Sequence, residues 1–288
     1  MSLIAKPRGS RKPLFSGVTG KQKQFVGLTL TPIMLYMLFW VLFPIVWVVL
    51  LSFFRYSATA SGGGFLGLGG ANAFIGVSNF TEMFFGNTLE GRTARISLIN
   101  TLIFSFLYLP LNLIVTLPLA VGIEAIRNRF WKTSFRFIYF LPALAASVGV
   151  ALMWAYLYHP QRGLINMIVR SLGFPPQIWL SNPKAYFLGI PLAMWSVTIA
   201  YLWRDMGYNL IIFIAALQGI PRDFKEAAVV DGANLWQIFW QITLPLLKPT
   251  MLLVCVLTMI SSFQVFDIFQ VMTNTGEPQD QTRVLMLD

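Results

Sequence analysis

Residues Pro221–Pro249 read PRDFKEAAVVDGANLWQIFWQITLPLLKP and stand between two long apolar runs. Pro221 predicts a helix start, because its fixed φ suits a first helical turn and its missing N–H would be unpaired there anyway. Asp223 and Glu226 then lie near the positive end of that helix. Ala227 and Ala228 leave room for close approach by a partner, and Gly232 lets the backbone turn sharply or be touched by another surface. A second short helix is expected next. Its Leu235, Trp236, Phe239 and Trp240 share one face, before Pro245 and Pro249 redirect the chain. The segment predicts a helix-turn-helix projecting from a membrane and suited to docking. Its bland alternative is an amphipathic connection between two spans.

A membrane setting follows from composition. Of 288 residues, 56% are hydrophobic and only 11% charged, and the mean hydropathy is +0.67. A water-soluble domain would not expose that much apolar surface. Five runs are long enough to cross a hydrocarbon core, which takes about 20 apolar residues: approximately Phe25 to Phe54, Leu98 to Ile123, Phe137 to Tyr158, Tyr186 to Leu217 and Met251 to Met272. The runs are continuous and do not alternate, which disfavours a β-barrel and predicts an all-α integral membrane protein.

Lysine and arginine set the expected orientation. Lys6, Arg8, Arg11, Lys12, Lys21 and Lys23 fall in an N-terminal arm (residues 1–24) without acidic residues. Arg127, Arg129, Lys132 and Arg136 lie between spans two and three, and Arg222, Lys225 and Lys248 lie in the 218–250 loop. These sides are expected to be cytoplasmic, with residues 25–288 forming the transmembrane domain. The opposite side carries the fewer basic residues Arg55, Arg92, Arg95, Arg162, Arg170, Lys184 and Arg283. Basic residues in short loops beside spans serve topology and anionic headgroups, so the lipid membrane is an expected partner and nucleic acid is not. The charged, interrupted arm and the long first span do not fit a cleaved signal peptide. Cys255 is alone, which excludes a disulfide or a cysteine-rich metal site, and His159 beside Pro160 reads as interfacial. Gly62–Gly64 and Gly69–Gly70 lack the lysine and serine of a phosphate loop and read as a plain loop. Short interfacial helices are expected at Asn79 to Phe85 and at Gly163 to Leu172.

Glu226-Ala227-Ala228, then Asp231-Gly232 and Ile242-Thr243-Leu244-Pro245 at fixed gaps, resemble the EAA loop in membrane subunits of binding-protein-dependent ABC importers. Further residues look like the maltose-type sugar permeases: Leu141-Pro142, Trp154, Gly163-Leu164-Ile165-Asn166, Trp203, Gly207, Ala216-Leu217, Ile220-Pro221, Phe266-Asp267 and Thr273. The likeness covers roughly Pro44 to Thr282. It implies a type I ABC importer transmembrane domain in a bacterial inner membrane, multi-pass with a cytoplasmic N-terminus, and a sixth helix expected beyond Asp288. Implied partners are a second homologous permease subunit, two ATPase subunits, a periplasmic or extracellular substrate-binding protein and a carbohydrate substrate. The resemblance gives Glu226, Ala227, Ala228, Asp231, Gly232, Ile242, Leu244 and Pro245 an ATPase-coupling role, with Glu226 accepting hydrogen bonds from a basic partner. No cofactor, metal or catalytic residue is expected in this chain, and ATP and Mg are left to the ATPase subunits. The competing classes are a secondary transporter, which would show an internal repeat and discontinuous helices, and a membrane enzyme, which would cluster ionisable residues at one face.

Arg204 and Asp205 stand deep in span four, Arg204 about 20 Å from Leu217 at 1.5 Å per residue. An intramembrane charge costs about 2.5–3.5 kcal/mol on insertion scales and therefore faces a partner or a wet cavity. Tyr201 and Asn209 nearby, with Ser261, Ser262, Gln264 and Asp267 on span five, form a candidate substrate pathway. Interhelical pairing that fixes the packing is the equal alternative.

Overall fold

The computed structural model describes residues 20–55, 73–274, 276 and 278–287. The chain divides into two compact units, Met1–Glu82 and Met83–Asp288. Most of the N-terminal arm and the glycine-rich loop lie outside the described residues.

In the first unit α1 (Gly20–Tyr36), a π-helical stretch (Met37–Leu42) and α2 (Phe43–Leu51) run on as one helix of 32 residues. Thr29 and Thr31 donate to the carbonyls of Phe25 and Gly27, so their hydroxyls are satisfied within the apolar part of the helix. The π stretch ends two residues before Pro44. Proline removes one i to i−4 bond and crowds the carbonyl behind it, and a widened turn relieves both. After α2 the Asn79 amide donates to the carbonyls of Ser52 (2.8 Å) and Phe54 (3.0 Å), pinning the start of α3 (Ser78–Phe85).

The second unit is built on α4 (Leu89–Ala125), α8 (Leu192–Gln218) and α11 (Leu244–Phe263), packed against one another. Thr88 caps α4 by accepting from the Gly91 N–H. On α4, Ser97, Thr101, Ser105, Tyr108, Asn112 and Thr116 are buried, spaced mostly by four, so one stripe of the helix is polar and faces its neighbours. Stripes of this kind hold helices together in lipid, where apolar surface gives no preference for protein over acyl chains. Around it Phe104, Tyr108, Tyr201 and Phe269 interlock edge to face, with ring centroids 4.9–5.5 Å apart. A second cluster, including Leu117, Phe213, Leu217, Leu247 and Val254, fills the end nearer the 218–250 loop. Gly207 on α8 lets that helix touch the end of α5 (Arg129–Phe140): a Cβ there would stand 2.9 Å from the Tyr139 carbonyl oxygen and 3.0 Å from Phe140 Cα.

Among the described residues three helical runs are long and apolar enough to cross a membrane: Gly20–Leu51, Leu89–Ala125 and Leu235–Phe263. The expected third span is not one straight helix. α5 ends in a 3-10 turn (Leu141–Leu144), Ala145 and Ala146 are extended, and α6 (Ser147–Leu157) departs at 99°. Pro142 explains the break, since it can open the 3-10 turn but cannot continue α5. The fourth run starts later than expected. Tyr186–Phe187 and Ile190–Pro191 pair as a small antiparallel hairpin, and α8 begins only at Leu192. The fifth is also interrupted: α11 stops at Phe263 and α12 (Asp267–Thr273) follows a short break.

The second helix of the docking segment is not separate either. α10 (Leu235–Ile238) passes through a π stretch (Phe239–Thr243) straight into α11, giving one run of 29 residues. Pro245 enters the first turn of α11 two residues after that stretch, repeating the arrangement at Pro44. The expected interfacial helices form as α3 and as α7 (Leu164–Ser171).

Candidate functional site: a docking turn and a cavity in the bundle

α9 (Arg222–Val230) opens after Pro221, with Asp223 in its first turn. Its end is closed by a Schellman motif: the Ala233 N–H bonds to the Ala228 carbonyl (2.9 Å) and the Gly232 N–H to the Val229 carbonyl (3.1 Å). Gly232 has φ +80°, a left-handed conformation that glycine takes without the Cβ penalty. Asn234 then caps α10 in a reciprocal box, accepting from the Gln237 N–H while the Gln237 side chain accepts from the Asn234 N–H, each at 2.8 Å. Two caps back to back make a rigid turn. Glu226, Ala227, Asp231, Gly232 and Pro245 are exposed, Ile242 and Leu244 are half-buried, and Ala228 is buried against the turn. Large apolar side chains stand out beside them, with Val230 87%, Leu235 86% and Trp236 69% exposed. A shallow groove of about 360 Å³ runs between Ala228, Asp231, Gly232, Gln237 and Gln241.

Glu124, at the end of α4, was not singled out in the sequence. It accepts from Lys132 (3.1 Å) and Arg136 (2.7 Å) on α5 and from Gln218 (3.5 Å) at the end of α8. It therefore ties three helix ends beside the docking turn.

The eight intramembrane candidates divide between two places. Tyr201, Arg204, Ser261, Gln264 and Asp267 line one cavity of about 250 Å³. Ser147, the first residue of α6, joins them and donates its hydroxyl to Asp267. The cavity therefore sits where the breaks of both interrupted helices meet. Asp205, Asn209 and Ser262 turn instead into the packing. Asp205 accepts from the Tyr108 hydroxyl and from Asn209 (3.5 Å), and Asn112 bridges Tyr108 (3.3 Å) to Thr258 (3.1 Å). Ser262 donates to Ser105 at 2.8 Å. Neighbouring residues on a helix point about 100° apart, so Arg204 reaches the cavity while Asp205 joins α4 to α8. The polar stripe on α4, spaced by four in an apolar run, was the available signal for Tyr108 and Asn112.

At the far end of the bundle Asn166 is 1% exposed. It donates to the carbonyls of Pro160 (3.0 Å) and Gln177 (2.8 Å) and accepts from the Gln177 N–H (3.0 Å) and the Trp179 indole (2.9 Å). This closes the loop between α6 and α8 around one side chain.

Residues 114–278 match the family described as binding-protein-dependent transport system inner membrane component. The chain belongs to this family. It is a non-catalytic, multi-pass inner-membrane permease subunit of an ABC importer, and the secondary-transporter and membrane-enzyme alternatives fall. The broken helices had been expected only of a secondary transporter, and they occur here in an ABC permease. Among relatives, the osmoprotective compounds uptake permease protein GgtC of Synechocystis sp. is 32% identical over 263 residues, covering 89% of this chain and 84% of that protein. The arabinooligosaccharides transport system permease protein AraP of Bacillus subtilis is 31% identical, covering 86% and 71%. A chain of the bacterial alginate ABC transporter, solved in complex with its alginate pentasaccharide-bound periplasmic protein, superimposes with a TM-score of 0.72 at 20% identity, covering 93% and 81%. That likeness shows the type I importer fold.

Proposed function

We propose that this permease carries saccharides through a path that includes the cavity around Arg204, and that the α9–α10 turn is where the ATPase drives it. The cavity carries the first half of the reading: one guanidinium, one carboxylate, one amide and hydroxyls converge on one open space among otherwise apolar helices. Relatives named for arabinooligosaccharide and alpha-glucoside transport support that substrate class. The exposed apolar side chains beside Glu226 support the second half, because a large apolar patch on a rigid turn marks a docking surface. In this reading Glu226 accepts charge-assisted hydrogen bonds from a basic ATPase residue. ATP and Mg sit in the two ATPase subunits, a homologous permease forms the other half of the path, and a soluble binding protein delivers substrate from the far side. The basic residues at the α9 end support a cytoplasmic location for that end and for the N-terminus.

The turn is tested with a pair of variants. Gly232→Val forces a β-branched residue into φ +80°, at a cost of about 1–2 kcal/mol, whereas Gly232→Asn keeps the conformation accessible. Valine is expected to abolish co-purification of the ATPase and saccharide-stimulated ATP hydrolysis, and asparagine to retain both. Full coupling by the valine variant in an assembled complex refutes the docking role. A panel of oligosaccharides that all fail to stimulate hydrolysis in the parent complex refutes the substrate class.

A further inference from the structure

We propose that Arg204 and Asp267 select an uncharged saccharide unit by taking one of its hydroxyls between them, the guanidinium donating and the carboxylate accepting. The proposal rests on the reading of this cavity as part of the path. It begins from what the lining groups have already used. Ser261 donates its hydroxyl to the Thr258 carbonyl (3.0 Å), Tyr201 donates to the Ser261 carbonyl (3.4 Å), and Ser147 donates to Asp267. The hydroxyl hydrogens of the lining are therefore spent within the protein. Among the cavity side chains, Arg204 and Gln264 are left to donate. The Nε of Arg204 is buried and has no hydrogen-bond partner.

Arg204 and Asp267 face the same cavity, yet no ion pair joins them among the described residues. A cation and an anion held apart across a small cavity present a pure donor opposite a pure acceptor. A sugar hydroxyl is the group that completes such a pair, since it accepts from one and donates to the other. A carboxylate or phosphate accepts only. It would satisfy Arg204 but meet Asp267 as a like charge. Asp205 adds to that repulsion only from behind, because its carboxylate is turned to Tyr108 and Asn209 on the α4 side. Asp267 is thus the residue that rejects acidic sugars.

Binding-protein selectivity is bypassed by labelling the cavity directly. In the assembled complex carrying Cys255→Ser, a Ser261→Cys probe is modified with N-ethylmaleimide, an uncharged reagent, and the rate is read with two competitors. These are a neutral gluco-trisaccharide and a uronic-acid trisaccharide of equal length. The neutral sugar is expected to protect the probe, with the uronate about tenfold weaker, a factor equal to about 1.4 kcal/mol. Adding Asp267→Asn keeps an oxygen for Ser147 and should bring uronate protection up to that of the neutral sugar. Arg204→Gln should weaken neutral protection without admitting the uronate. Equal protection by both sugars in the parent overturns the selectivity while leaving the path reading intact. Protection by neither, in a complex that imports saccharide with its binding protein, removes the cavity from the path and the proposal with it.

Discussion

Replacing Gly207 with alanine tests whether the bundle is held by close helix contact or tolerates repacking. The added Cβ would stand 2.9 Å from the Tyr139 carbonyl oxygen, 3.0 Å from Phe140 Cα and 3.3 Å from Ala143 Cβ. Ordinary carbon contacts lie at about 3.5–4.0 Å, and the first two neighbours are backbone atoms that cannot rotate aside. α8 must therefore move off α5, which also pulls on the Tyr208 hydroxyl bonded to the Ala143 carbonyl at 3.0 Å. Overpacking of this kind costs about 1–3 kcal/mol. Alanine recovers at most about 1 kcal/mol of helix propensity over glycine, so the net runs from near zero to a loss of about 3 kcal/mol.

Thermal unfolding of the purified complex in detergent reads this directly. A domain of this size shifts by about 2–4 °C per kcal/mol, so Gly207→Ala should lower Tm by a few degrees. Gly149 in α6 is the control, because nothing lies within 4 Å of the Cβ position there. Gly149→Ala should leave Tm unchanged or raise it. If Gly207→Ala melts with the parent, the close approach of α8 to the α5 end is not a constraint and the packing argument fails.

Asn166→Leu should open the α6–α8 loop, because it orphans the Trp179 indole and the Gln177 N–H and each buried unpaired group costs about 1–3 kcal/mol; hydrogen exchange over residues 160–180 should rise, and an unchanged profile counts against it. Glu124→Gln should cost no more than about 1 kcal/mol and less in high salt, since its two ion pairs are between 22% and 30% exposed. Unfolding at low and high ionic strength measures that, and a salt-independent loss of several kcal/mol would contradict a solvent-screened pair.

The docking turn was legible because its physics is local. Pro221, Gly232 and Asn234 each dictate a backbone conformation within a few residues, and α9, the Schellman closure and the α10 cap follow. The breaks were less legible. Leu141-Pro142 was noted as a motif, but hydropathy averages over the six residues that turn α5 into α6, and a run of apolar residues reads as one span whether or not it bends. Pro245 misled in the opposite direction. Proline usually redirects a chain, yet a π stretch absorbed it and kept the helix continuous. The pathway candidates were legible as a set of polar residues in apolar runs, but their separation into cavity and packing required the partner helix. Asp205 looks like a pathway acid until Tyr108 on α4 is placed beside it.

That continuity at Pro245 bears on how the docking turn and the cavity communicate. Leu235–Phe263 is one helical run of 29 residues, about 44 Å long at 1.5 Å per residue. One end carries the exposed Leu235 and Trp236 of the proposed docking surface, and the other carries Ser261 of the cavity. In the proposed reading a force applied at the turn would be delivered along this single helix, with no relay of side chains. The helix stops at Phe263, and Gln264 and Phe266, which also line the cavity, form the break before α12. Across that break Asp267 is held by Ser147 of α6, itself the first residue after the 99° bend. A tilt of the long helix would move Ser261 relative to Asp267, while α6 and α12 would stay joined through the Ser147 hydroxyl. In the proposed mechanism the cavity would change shape at the two points where the helices are already interrupted, so closing or opening it would require no intact helix to bend.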